Sequence, residues 1–335
     1  MSHHTKPTLI IAVDEATFDI SPWDTEGYAV HLLTKANKDS IEYVTDELES
    51  SDRYAILAFG TAASHALSFA TKPSRQLRSV AAYYPTSLPS SSFHPDVRVL
   101  LHLPQSTPFS LPTSSNVRVR LYDAPVGFAQ TTLPTFSRLS HDISFSRTLS
   151  LLRATIGPYH IDLEAIWDEH LAHEFASKNP DATMDTMISS PYVNHVPTLT
   201  GGSGYDDLYR FYKDYFIPNN PPSMRVTLVS RTVGSDRIVD EMVISFRHSC
   251  EVPWMLPGVP PTEKEVEVAL VSVVAFRGGK LAMENIYWDQ ASVLVQIGLL
   301  ERGNLPIVGV ESARKVLDKK NEPSNKLVPG WSKDQ

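Results

Sequence analysis

Segment 284–300 reads ENIYWDQASVLVQIGLL and offers one carboxylate, Asp289, at the end of an alternating run. Ile286 and Trp288 alternate with Asn285, Tyr287 and Asp289 at the period-2 spacing of a strand, so the second trio shares one face. A carboxylate beside Tyr and Trp is poorly hydrated. Its pKa rises toward neutrality, where it can exchange a proton with a substrate. On spacing alone Asp289 serves equally as the N-cap of a helix beginning near Ala291, because aspartate is a favoured cap. His170 and His173 are three apart on a predicted helix with no third ligand beside them, so no metal site is expected. The apolar loop Trp254-Met255-Leu256-Pro257 reads as a cavity lid or a subunit contact.

The elements that must position these residues follow from periodicity. Helices are predicted at 163–177, 180–189 and 205–216, with 191–204 as an exposed polar turn. Four strands follow at 224–232, 238–250, 265–276 and 280–289, the middle pair long and β-branched. Such strands need both faces covered, which points to a homodimer or to cover from the other half of the chain.

Three segments of this half carry a resemblance in their order and spacing. They are Gly258-Val259-Pro260-Pro261-Thr262, then Phe276-Arg277-Gly278-Gly279-Lys280-Leu281, then Trp288-Asp289 through Gln296-Ile297-Gly298. They are similar to the G-x-P-P-T-G turn, the R-F-x-x-G-K-I hairpin and the W-D-x-x-x-L-L-x-Q-L-G close of SnoaL-like polyketide cyclases, in the nuclear-transport-factor-2-like superfamily. Glu263 replaces the usual glycine, and Met283, Glu284, Asn285 and Ile286 stand where E-H-W-D is usual. The resemblance implies an α+β cone, with a curved antiparallel sheet wrapped around helices and a cavity at its open end. It places Asn194 and His195 at the cavity mouth and His248 on an inward strand position. Asp289, His248 and His195 are then the catalytic set, the carboxylate removing a proton beside a carbonyl and an imidazole or amide stabilising the enolate. Asn194, Tyr212, Trp254, Asn285 and Tyr287 are the implied substrate contacts. A solitary strand histidine is as often structural.

The N-terminal half reads as an open parallel α/β sheet, with strands at 9–13, 54–59, 80–84, 97–102 and 117–122 and a helix at 40–48. The junction at 145–159 has helical spacing at Leu149, Leu152 and Ile156, and Gly157-Pro158 ends that helix. The order of pieces resembles the dienelactone hydrolases of the α/β-hydrolase class, in truncated form. Their nucleophile elbow matches Gly60-Thr61-Ala62-Ala63-Ser64, and their histidine segment matches Tyr122-Asp123-Ala124-Pro125-Val126-Gly127-Phe128. Ala62 then stands for the nucleophile, Val126 for the histidine and Pro104-Gln105-Ser106 for the acid, so the family's covalent chemistry cannot run. Ser64 and His65, being adjacent, point apart and make no pair.

Composition bounds the rest. The chain has 335 residues, a net charge of −8 and one cysteine, Cys250. That length suits two domains, expected at 1–150 and 158–302 with a tail at 303–335. The charge argues against nucleic acid, and no apolar run is long enough to span a bilayer. The polar opening residues lack a leader layout, and the single cysteine suits a reducing compartment, so a cytoplasmic protein is expected. The expected activity is proton transfer on a small carbonyl or polyketide-like compound without a cofactor, as isomerase, cyclase, dehydratase or hydrolase. The alternatives are a non-catalytic small-molecule-binding or dimerisation module, and residual dienelactone-hydrolase-type activity.

Overall fold

The computed structural model describes residues 6–48, 53–158, 161–320 and 322–331. It divides into two compact units, 1–161 and 162–335. The first is a six-stranded sheet in the order β2-β1-β3-β4-β5-β6, every pairing parallel. Its strands are β1 Thr8–Ala12, β2 Ala29–Leu33, β3 Tyr54–Phe59, β4 Leu77–Tyr83, β5 Arg98–Pro104 and β6 Val117–Tyr122. The central strands are apolar on both faces because helices cover both. Ile56, Ala58 and Leu101 pack with α2 Lys38–Glu47 and α3 Gly60–Phe69. Leu9, Leu57 and Tyr83 pack with Trp23, from the short α1 Ser21–Thr25, and with Leu149 and Leu152 of α4 Arg138–Thr155. β2, whose residues are only half buried, escaped the sequence reading. The junction helix, expected to stop at Gly157-Pro158, is α4, which ends at Thr155 with Ile156 as its C-cap; Tyr159 lies outside the described residues.

The turn from β3 into α3 is held by Asp14. Gly60, not Ala62, holds the left-handed conformation, with φ of 62°. Asp14, in the loop after β1, accepts the backbone N–H groups of Thr61 (2.7 Å) and Ala62 (2.8 Å). A Cβ at position 60 would lie 2.3 Å from its carboxylate. Ser64 lies inside α3 and accepts the amides of Thr86 and Ser87.

The second unit is a six-stranded sheet in the order β8-β7-β12-β11-β10-β9. Its strands are β7 Met187–His195, β8 Thr200–Ser203, β9 Arg225–Val233, β10 Arg237–Arg247, β11 Glu265–Arg277 and β12 Lys280–Trp288. Register shifts at Glu241/Met242 and Ala275/Phe276 are the irregularities that bend such a sheet. β7 and β8 replace the expected polar turn, and the second helix is only α6 Pro180–Asp185. β7 hides from sequence because it is polar, with Pro191 in the stretch where its pairing with β12 shifts. Two helices pass into π turns, α5 Leu163–Leu171 into Ala172–Ala176 and α7 Tyr205–Arg210 into Phe211–Phe216. Such turns are frequent at functional sites. α8 Gln290–Gln296 follows β12. Within 303–335, the helix expected at 311–317 is α9 Glu311–Leu317, which buries Ala313 and sets Arg314 3.4 Å from Glu267 of β11.

Candidate active site

Strand register builds a polar row across the second sheet. Ile286 of β12 lies opposite Ser272 of β11, Ser272 opposite Asp240 of β10, and Asp240 opposite Arg231 of β9. One strand step away, Glu284 is 7% exposed and accepts the Ser272 hydroxyl at 2.6 Å. These side chains line a cavity of about 560 Å³, together with Trp167, Glu174 and Tyr212 from the helices. That size suits a small organic ligand.

Asp240, 1% exposed, is fully engaged. Arg231 grips it with Nε and Nη2, both at 2.8 Å, and Trp167 Nε1 donates to it at 2.8 Å. Arg231 Nη1 reaches Asp168 at 3.0 Å, and these partners hold the guanidinium firmly charged. The fork geometry fixes its position.

Among the described residues no cation is paired with Glu284. Burial pushes its carboxyl pKa up to about 7, and the charge of Glu174 pushes the same way. The Ser272 bond and His170 act against them. His170 sets Nε2 3.1 Å from Glu174 and Nδ1 2.6 Å from Thr186. Burial would lower its pKa, but the charge and hydrogen bond of Glu174, with Glu284 adding, carry it above the ordinary histidine value. The Tyr212 hydroxyl lies 3.4 Å from His170 Nε2, and burial holds that phenol far above its usual pKa. The cavity thus holds a carboxyl poised between its two forms, a phenol that keeps its proton and a fixed cation.

The far wall is aromatic. His195 sits among Phe211, Phe216, Trp254 and Trp288, with ring centroids 5.0–5.9 Å away. Its Nδ1 lies 3.2 Å from the Thr200 carbonyl, which fixes Nδ1–H as the donor, and burial drops its pKa to about 4. His195 is therefore neutral, with Nε2 as an acceptor. The Trp254 loop is a fixed wall. Its carbonyl accepts Thr198 and Thr200 (2.7 and 2.9 Å), and its indole donates to Asn220 at 3.0 Å.

Of the residues singled out from sequence, His195, Tyr212 and Trp254 line the cavity, and the others do not. Asp289 is exposed and caps α8, accepting Ala291 N–H at 3.0 Å. His248 is buried at the end of β10, where Nδ1 meets Thr262 at 3.0 Å and its backbone pins the 248–264 loop. Asn194 and Asn285 are opposite neighbours on the other face of the sheet, 3.5 Å apart, and Tyr287 beyond them is 45% exposed. β12 alternates as its sequence predicts, with the opposite face turned inward. Glu284, Ile286 and Trp288 point in. A helical signal was available for the missed residues: Leu163, Trp167, His170 and Glu174 are buried at spacings of four, three and four.

The geometry of this unit meets a known domain. Residues 168–283 match the SnoaL-like domain. The match covers a minority of the chain and stops one residue before Glu284. No curated protein matches the chain. Among solved structures, the chain is similar to TsrD from Streptomyces laurentii at 16% identity, over 42% of this chain and 100% of that one, with a TM-score of 0.35. It is similar to a putative SnoaL-like polyketide cyclase from Jannaschia sp. CCS1 at 18% identity, over 43% and 100%, with a TM-score of 0.34. A putative hydroxylase, AclR from Streptomyces galilaeus, aligns at 17% identity over 42% and 98%, with a TM-score of 0.33. Beside the SnoaL-like domain the first unit is a parallel α/β sheet. No helix among the described residues is long and apolar enough to cross a membrane.

Proposed function

We propose that the SnoaL-like unit catalyses proton transfer on a small, largely apolar carbonyl compound, with Glu284 as the base and no cofactor. The observation that carries this reading is a carboxylate with a pKa of about 7 in the wall of a mostly apolar cavity of about 560 Å³. A base with that pKa is ionised in part at neutral pH, yet returns its proton readily.

Ionised Glu284 takes the proton from the carbon beside the carbonyl, and the C–H electron pair becomes the enolate. The Tyr212 O–H and the Arg231 guanidinium supply donor and charge for the developing oxyanion. Protonated Glu284 then returns the proton to another carbon, or the enolate carbon attacks a second carbonyl, closing a ring, and Glu284 gives its proton to the resulting alkoxide oxygen. The wall of His195, Phe216 and Trp254 suits flat, aromatic or polyketide-like frames.

The test is deuterium incorporation from D₂O into 2-tetralone and a cyclic 1,3-diketone, followed by NMR. Exchange above buffer that falls about 10²-fold or more in Glu284→Gln supports the reading. Saturable binding of these ketones without exchange favours the non-catalytic binding module instead.

For the first unit the proposal is a hydrolase-like frame without hydrolase chemistry. At a nucleophile elbow the strained residue after the strand is the nucleophile, and the next N–H helps hold the oxyanion. Here the strained residue is Gly60, the Asp14 carboxylate occupies the N–H groups, and Val126 is 61% exposed. A homodimer through the exposed apolar residues of β9, among them Val226, Leu228 and Val233, and a cytosolic location complete the proposal.

A further inference from the structure

The first unit has a groove with a charge that the rest of the chain does not explain. Period-2 alternation puts Arg118, Arg120 and Tyr122 on one face of β6, and Arg98, Leu100 and His102 on the same face of β5. Register sets Leu100 opposite Arg118 and His102 opposite Arg120. α4 packs over β4 and β5, and between it and edge strand β6 runs a groove of about 610 Å³. Arg98, Arg118, Arg120 and Arg147 all line it.

These four guanidiniums meet almost no counter-charge. Among the described residues, the side chains of Arg98, Arg118 and Arg120 form no ion pair and no hydrogen bond. The groove's one carboxylate, Asp96, is 78% exposed and turned toward His94 at 4.0 Å. Arg147 is held ready from behind. It donates to the Tyr122 hydroxyl at 3.0 Å and lies 5.4 Å from that ring, while the same hydroxyl meets Nδ1 of fully buried His102 at 2.7 Å. His102 stays neutral because it is buried and because Arg147 and Arg120 repel a further positive charge.

Charged residues on an edge strand also guard against sheet extension. Guarding accounts for Arg118 and Arg120 on the strand. It gives no reason for Arg147 from a helix and Arg98 from the neighbouring strand to line the same concavity in a chain of net charge −8. We propose that this groove binds a small oxyanion carrying two or more negative charges, of the phosphate-ester class. Planar guanidinium forks match phosphate oxygens in pairs, and the concavity has the size of a small-ligand site.

The experiment is calorimetric titration of the full chain with tripolyphosphate, and in parallel with citrate, at low and high salt. The expected result is saturable binding of tripolyphosphate, tighter than citrate, weakened by salt and weakened about 10-fold or more in Arg118→Ala/Arg120→Ala. If that variant does not fold, Arg118→Gln alone is read in the same way, with a smaller loss. Absence of saturable binding, or undiminished affinity in a variant with native circular dichroism, overturns the site. Preference for citrate overturns the phosphate-ester assignment. The site is independent of the chemistry proposed for the second unit.

Discussion

Ser272 donates its hydroxyl to Glu284 at 2.6 Å from the neighbouring strand, and among the described residues it is the one side chain hydrogen-bonded to that buried carboxylate. One neutral donor does not offset burial beside Glu174, so the carboxyl is poised near neutrality.

Glu284 therefore makes stability depend on pH. Its folded pKa, about 7, exceeds the ordinary 4.5, so the folded state binds more protons than the unfolded state between those values. Stability falls as pH rises through that window, by up to about 3 kcal/mol. Glu284→Gln should melt higher than the parent at pH 8 and nearly level with it at pH 4, by circular dichroism. Equal differences at both pH values would place the titration elsewhere. Exchange activity, which needs the ionised form, should rise with pH through about 7 in the parent.

Ser272→Ala removes the bond that favours ionisation. The exchange profile should shift to higher pH with little change in its plateau, whereas a purely structural role for Ser272 would lower the plateau and leave the midpoint in place.

Asp289 separates the cap from the catalyst. Asp289→Asn should leave melting and exchange unchanged, and Asp289→Ala should cost about 1 kcal/mol through the lost cap. A 10²-fold loss of exchange in the Asn variant would restore Asp289 to the chemistry.

Asp240 and Arg231 form a buried pair, so removing one partner strands the other. Asp240→Asn should destabilise by about 3 kcal/mol, and pairing Asp240→Leu with Arg231→Met should cost less than either change alone. Additive losses in denaturant titrations would show that the two act separately.

A Cβ at Gly60 meets both an unfavourable φ and the Asp14 carboxylate. Gly60→Ser should lower the melting temperature and gain no reaction with a fluorophosphonate probe. Stoichiometric labelling of the first unit in the parent chain would refute the proposed loss of hydrolase chemistry. For the second unit, sedimentation should find a dimer at micromolar concentration, and a monomer would remove the proposed β9 contact.

The sequence by itself determined the elements whose burial is continuous. Tyr54–Phe59 and Glu265–Arg277 are legible because a strand covered on both faces, or a long β-branched strand, has little freedom to be anything else. The two SnoaL-like segments that fall within 168–283 and the alternation of β12 were legible too. Polar β7, with Pro191 inside it, was not, because its pairing comes from β12 and β8 rather than from its own composition. Nor was the phase of β12. Period 2 sorts Glu284 from Asn285 without saying which face the helices cover, and only the packing of α5 and α7 made Glu284 the buried one. The meeting of Asp14 with Thr61 and of Glu284 with Glu174 likewise waited on tertiary structure. Neither local conformation nor periodicity carries information about charges that the fold brings together from distant positions, and those charges set the chemistry.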